Sequence, residues 1–252
     1  MKLKVKKILV SQPQPADLEK SPYIELINKH KVNVDFRKFI KIDGVSASDF
    51  RKDKVYIQDH TAVIFTSRNA VDHFFRMAQD MRVEIPDTMK YFCISEATAF
   101  YLQKYVQYRK RKIFQGQQSF IDLLEIIKKH KDEKFLLPCS DIHKLSIVQA
   151  LDKAKINYSK AVIYQTLASD LSDIDIETYD LLVFYSPAGV KSLFKNFPEF
   201  KQNSTLIGAF GPTTHKAAKD SGLNVDIAAP TKTALSMTVA IEQHIQNCNG
   251  KK

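Results

Sequence analysis

Five short segments place hydroxyls or small residues where an apolar run gives way to a helical one. Ser67 precedes Arg68-Asn69-Ala70, Ser95 precedes Glu96-Ala97-Thr98, Ser140 precedes Asp141, Ser186 precedes Pro187-Ala188-Gly189, and Gly211-Pro212 precedes Thr213-Thr214. A serine at such a point accepts a hydrogen bond from a first-turn N–H, and proline suits the first helical position, whose own N–H has no partner inside the helix. Taken singly, each is an ordinary cap worth about 1 kcal/mol. Taken together they suggest more. Helix starts carry free N–H groups and a partial positive charge, so several around one crevice would hold a multiply charged anion. Arg68, Lys144, Lys191 and Lys216 lie in or near these turns and would add ion pairs, although each alone is an ordinary solvated cation.

Other chemistries lack their residues. There is no GxGxxG, no GxxxxGK[ST] and no GxSxG, so nucleotide cradles and the serine-hydrolase elbow are missing. The first apolar run ends in Ser11-Gln12-Pro13-Gln14-Pro15, without the carboxylates of a phospho-receiver. Cys93, Cys139 and Cys248 are odd in number and widely spaced, and no HExxH is present, so neither a disulfide framework, a metal nor a cofactor is expected. Lys plus Arg number 38 against 28 for Asp plus Glu, a field that attracts polyanions. The densest basic run, Tyr108 to Lys112, has no nucleic-acid motif around it and reads as a solvated edge, so no nucleic-acid partner is expected. No apolar run reaches the roughly 20 residues of a membrane span, and the opening Met1 to Lys7 lacks a secretory core, so a cytoplasmic protein without membrane contact is expected.

The elements that must position these turns follow from the alternation of short apolar runs with amphipathic stretches, which predicts βαβ units and parallel sheets. Ten strands are expected: 7–11, 32–39, 62–66, 91–94, 112–114, 135–138, 158–164, 181–185, 206–210 and 225–228. That is too many for one small sheet and enough for two. The halves also resemble each other. VIFTSRNAVDHFF from Val63 aligns with LVFYSPAGVKSLF from Leu182, CISEATAFYL from Cys93 with AFGPTTHKAA from Ala209, and FIDLLEIIKKH from Phe120 with ALSMTVAIEQH from Ala234. The chain reads as a tandem duplication dividing near Lys128. Segments 32–43 and 156–170 are long enough to cross between halves, and pairing them would exchange the first βα unit.

FTSRNAV at 65–71, VIYQT at 162–166, FYSPAGV at 184–190 and IGAFGPTTHKAA at 207–218 resemble segments of the uroporphyrinogen-III synthase family. Ser95, in place of a usual glycine, and the turn at Pro138 to Ser140 depart from the family pattern. The resemblance implies two flavodoxin-like, three-layer α/β domains joined by a two-stranded β connector, one of residues 1–36 and 168–252, the other of 37–167 with connector strands near 37–43 and 160–167. It implies a cytoplasmic, cofactor-free lyase that cyclises hydroxymethylbilane, a linear tetrapyrrole with eight carboxylates, in a cleft between the domains, with loss of water and inversion of ring D. Tyr164 is then the expected catalytic acid. Thr66, Ser67, Arg68, Ser95, Thr98, Ser140, Ser186, Pro187, Gly211, Thr213 and Thr214 are the expected substrate-binding residues. A monomer is expected, with transient contact to neighbouring pathway enzymes. The competing expectation is a non-catalytic binding protein for a polycarboxylated or phosphorylated small molecule.

Overall fold

Most of the strands are short runs apolar on both faces, the pattern of parallel sheets covered by helices on either side. In the computed structural model, which describes residues 5–117, 119–143 and 145–249, they run over Lys7–Val10 (β1), Asn33–Phe36 (β2), Ile40–Gly44 (β3), Ala62–Phe65 (β4), Lys90–Cys93 (β5), Ile113–Gln115 (β6), Phe135–Ser140 (β7), Tyr158–Ala168 (β8), Leu181–Phe184 (β9), Leu206–Phe210 (β10) and Ile227–Ala229 (β11). Helices run over Pro22–His30 (α1), Ala47–Lys52 (α2), Arg68–Asp80 (α3), Glu96–Leu102 (α4), Phe120–Ile127 (α5), Leu145–Lys153 (α6), Pro187–Asn196 (α7), Pro212–Asp220 (α8) and Met237–Asn249 (α9). The chain divides into two units, Met1–Lys41 with Leu167–Lys252, and Ile42–Thr166.

In the first unit the strands lie in the order β2-β1-β9-β10-β11, all parallel. Alternate residues go to opposite faces. Ile8, Val10, Leu181 and Val183 pack with Leu26 of α1 and Ile241 of α9. Leu9, Leu182 and Phe184 pack with Val190 and Leu193 of α7 and Ala218 of α8. The result is three layers, with the strand order of a flavodoxin-like sheet.

The second unit's sheet has the order β3-β8-β7-β4-β5-β6. Val63, Phe65 and Tyr91 pack with Phe50 of α2, Phe74 and Met77 of α3 and Leu102 of α4. Ala62, Ile64 and Phe92 pack with Leu123 and Ile127 of α5 and Leu151 of α6. Apart from β3, the five strands are parallel and repeat the first sheet's order. β8 outruns the segment expected for it. Its first half pairs in parallel with β7, from Tyr158 opposite Phe135 to Tyr164 opposite Ser140. Its second half lies along the chain around β3 in the antiparallel sense, with Val45 N–H bonded to Ile163 O and Ser169 N–H to Phe39 O. β3 and β8 are neighbours at one edge of the six-stranded sheet.

Candidate functional site

In an open parallel sheet, loops diverge where the strand order reverses, and a crevice forms beyond the carboxyl ends. In the unit Ile42–Thr166 that point lies between β7, whose chain continues to β8 on one side, and β4, whose chain continues to β5 on the other. A cavity of about 190 Å³ occupies it. Its polar wall consists of Thr66 and Ser67 after β4, Cys139 and Ser140 at the end of β7, His143 in the following turn, and Tyr164 of β8. Ile94, Leu137, Ile142, Ile147 and Val148 supply an apolar wall. No Lys or Arg lines it among the described residues. Lys144 lies outside the described residues.

Ser67 caps α3, its Oγ accepting from Ala70 N–H at 3.1 Å, and lies 3.4 Å from the Tyr164 hydroxyl. Tyr164 is 8% exposed. Burial holds its phenol above the ordinary range, so the group is protonated at neutral pH. Its ring stacks on His73 of α3, centroids 5.0 Å apart and planes at 18°. Arg76, one turn further on, donates from Nε to His73 Nδ1 at 3.2 Å and from Nη2 to Val45 O at 2.9 Å and Ile163 O at 3.0 Å. The guanidinium therefore ties the helix carrying His73 to the strand carrying Tyr164. Burial, then the charge of Arg76, holds the His73 imidazole below its usual value, against the pull of Asp72 and Asp43.

Ser140 does not begin a helix, as the sequence suggested. Its Oγ accepts from Ile142 N–H at 2.9 Å in a tight turn, and α6 starts only at Leu145. The turn is fixed from both sides: Asp141 N–H donates to Tyr164 O at 3.2 Å, and Asp141 Oδ1 accepts from Thr166 N–H at 3.0 Å. His143 Nδ1 lies 3.1 Å from Ser140 O, and since a carbonyl only accepts, Nδ1 carries the proton of that bond. Burial pushes the Cys139 thiol up to about 11, leaving it neutral.

Arg68, Ser95 and Thr98 stand outside this cavity. The Arg68 guanidinium sits over the Tyr101 ring, 5.4 Å from its centroid. The Ser95 and Thr98 hydroxyls lie 3.2 Å apart at the start of α4, with Thr98 buried.

In the unit Met1–Lys41 with Leu167–Lys252, the starts of α7 and α8 follow neighbouring strands, β9 and β10. Ser186 Oγ accepts from Gly189 N–H at 3.1 Å, repeating the Ser67 cap, and Pro187 takes the first helical position. Gly211 caps α8 with φ +85°, a conformation strained for any residue with a Cβ. Thr213 is exposed, whereas Thr214 is 1% exposed. Direct contact by the Thr214 side chain is thus the weaker of the two expectations on geometric grounds.

A family model described as Uroporphyrinogen-III synthase HemD matches residues 21–238. The chain belongs to the uroporphyrinogen-III synthase family. Two solved structures are similar to it: uroporphyrinogen-III synthetase from Helicobacter pylori, at TM-score 0.57 and 17% identity over 96% of this chain and 99% of that one, and a mutant uroporphyrinogen III synthase from Thermus thermophilus, at TM-score 0.51 and 13% identity over 98% and 100%. At such identities the structural likeness speaks for the fold. Curated proteins gave no match. Family membership makes the chain a cyclising lyase of tetrapyrrole biosynthesis and displaces the non-catalytic binding module. Among the described residues, no helix is long and apolar enough to cross a membrane.

Sequence patterning does not mark His143, Cys139, Ile142, Ile147 or Val148 as site residues. A lone histidine beside a Ser-Asp pair carries no spacing signal, and the turn holding it was read as a helix start.

Proposed function

We propose that the cavity at the β7–β4 reversal holds the reacting end of hydroxymethylbilane while the macrocycle closes. The observation that carries this reading is the convergence of Ser67, Thr66 and Tyr164 on one small, largely apolar cavity at the reversal point of a parallel sheet. At about 190 Å³ it falls below the roughly 300–1,000 Å³ of sites for drug-sized ligands, which suits one substituted pyrrole rather than a whole tetrapyrrole.

The chemistry needs few charged groups. The pyrrole nitrogen lone pair expels the hydroxymethyl oxygen, giving an azafulvene-like cation that the terminal ring attacks at its already substituted carbon. The resulting spiro intermediate breaks the bond from that carbon to the methylene shared with the third ring, and the methylene re-attaches at ring D's free α-carbon, which leaves ring D inverted. Apolar walls keep water from trapping the cation, and the protonated Tyr164 hydroxyl, beside Ser67, is placed to hydrogen-bond the departing oxygen. Holding the chain in a near-cyclic pose favours this route over the simpler closure that proceeds without enzyme.

The carboxylates lie outside the reacting pocket in this reading. Within the unit Met1–Lys41 with Leu167–Lys252, the N–H groups at the starts of α7 and α8, with Ser186 and Thr213, suit carboxylates, and within the other unit Arg68 at the start of α3 does so. Thr214 then acts by packing, keeping the Gly211 turn in place. Ser95, Thr98 and Pro187 shape helix starts, and Ser140 fixes the turn that carries His143.

A tandem duplication with the first βα unit exchanged accounts for the shared strand order, and the equal Ser67 and Ser186 caps support it. The functional reading is tested by a coupled assay with freshly generated hydroxymethylbilane, resolving type I and type III isomers after oxidation. Slow turnover and a raised type I fraction in Ser67→Ala and Tyr164→Phe are expected. Wild-type rates and isomer ratios in both would remove Ser67 and Tyr164 from the reaction, and with them the observation that carries the reading.

A further inference from the structure

The ring closure has a proton to deliver and a proton to recover, and the protonated phenol of Tyr164 suits neither task well. Burial raises its pKa, so giving up its proton in the pocket is costly. The task needs a group that can both give and take a proton, and an imidazole nitrogen does both. His143 is the only imidazole lining the cavity among the described residues. It sits in the turn that joins β7 to α6, half exposed, on the same wall as Ser140.

We propose that His143 is the general acid and base of the cyclisation, an inference that rests on the cavity being the reacting site. The bond from Nδ1 to Ser140 O commits one ring nitrogen, and that leaves Nε2 for exchange with substrate. In the first step the C–O bond of the hydroxymethyl group breaks as the pyrrole nitrogen lone pair forms the C=N of the azafulvene-like cation. The proton on Nε2 of the imidazolium goes to the departing oxygen, which leaves as water. In the last step the terminal ring, having formed its new carbon–carbon bond, loses the proton of its α-carbon to regain aromaticity. Neutral Nε2 accepts that proton, and the imidazolium is restored. One water leaves per turnover, and no net proton is taken up.

The neighbouring groups fit this division of labour. Cys139 and Tyr164, the other titratable groups of the cavity wall, are both held neutral by burial. Asp141, in the same turn, is engaged through Oδ1 with Thr166 N–H. His73, Arg76 and Asp72 belong to α3, behind Tyr164, and Arg76 occupies the Nδ1 of His73. None of these competes as a proton carrier facing the pocket.

The test is the pH dependence of kcat for the full chain with freshly generated hydroxymethylbilane, corrected for closure without enzyme. His143→Gln is expected to lower kcat about a hundredfold, leave KM within about twofold, and remove one limb of the wild-type pH profile. His143→Asn, which retains a short polar side chain in the turn, serves as the second variant, with melting measured for both. Loss of the limb in either folded variant supports the assignment. An unchanged kcat and profile in a folded variant overturns it. The two readings fail differently: if Ser67→Ala and Tyr164→Phe are slow while both His143 variants match the wild type, His143 alone is wrong, whereas wild-type behaviour of all four removes the cavity itself.

Discussion

The Tyr164 hydroxyl lies 3.4 Å from Ser67 Oγ, and the two residues come from β8 and the start of α3, on opposite sides of the strand-order reversal. That contact joins the two walls of the cavity through side chains that are also free to meet a substrate oxygen. Removing the phenol oxygen takes away one hydrogen bond and no packing. Tyr164→Phe is therefore expected to lower kcat about tenfold, equivalent to about 1.4 kcal/mol of barrier. Its melting should stay close to wild type, because the ring and its stack on His73 remain. Turnover and melting measured on the same preparation check both halves of the expectation.

Ser67 and Ser186 make the same cap in two different sheets, each accepting from the N–H three residues on at 3.1 Å. Alanine at either site should cost about 1 kcal/mol of stability, and glycine only a few tenths. The functional cost should divide differently. Ser67 touches Tyr164, so Ser67→Ala should act mainly on kcat, while Ser186→Ala should act mainly on KM by loosening the helix start proposed above to meet carboxylate. Urea midpoints that match, with kinetic constants that do not, are the expected result. A loss of kcat alone in Ser186→Ala would contradict it.

The alternation of apolar runs and helical stretches made both parallel sheets legible, because a strand covered on two faces has nothing to show but its apolar length. Serine caps at 67, 95 and 186 were equally plain, since a Ser at the end of such a run has few other structural roles. Ser140 looks the same in sequence and is different in space: its hydroxyl serves Ile142 within a turn. β3 was harder to read because its exposed Lys41, Ile42 and Asp43 lack the buried alternation that marks the other strands. The depth of Thr214 was invisible for a similar reason. Two adjacent threonines in a first turn point roughly 100° apart, and only the packed helix decides which faces inward.

Gly44 stands where an added Cβ would lie 2.6 Å from Arg76 Cζ. Arg76 has nowhere easy to go, since its guanidinium is held by Val45 O, Ile163 O, His73 Nδ1 and Asp80. Gly44→Ala should therefore cost about 1 kcal/mol, on the scale of a partly exposed charge losing some of its acceptors. Most of that cost should disappear in an Arg76→Ala background, where the colliding group is gone. A double-mutant cycle in urea decides it; additive costs would mean that Gly44 is required for the backbone and not for the space it leaves.

Acid should weaken the fold before the carboxylates titrate. Burial, followed by Arg76, holds His73 below its ordinary pKa, and burial, followed by Lys90, does the same for His130. The unfolded chain releases both rings from those surroundings, so below about pH 6.5 it binds more protons than the folded chain does. Stability contributed by the neutral rings is then fully present above that pH and is lost as the pH falls through the lower folded values. Glu133 and Glu242, whose pKa values are lowered, act in a more acidic window, below the ordinary carboxylate range. Urea midpoints should accordingly be level from about pH 8 to 7 and decline toward pH 5. His73→Phe, which preserves a ring against Tyr164, combined with His130→Gln should flatten that decline. A wild-type midpoint that rises toward pH 5 would show that the folded chain welcomes the charge these rings are placed to exclude.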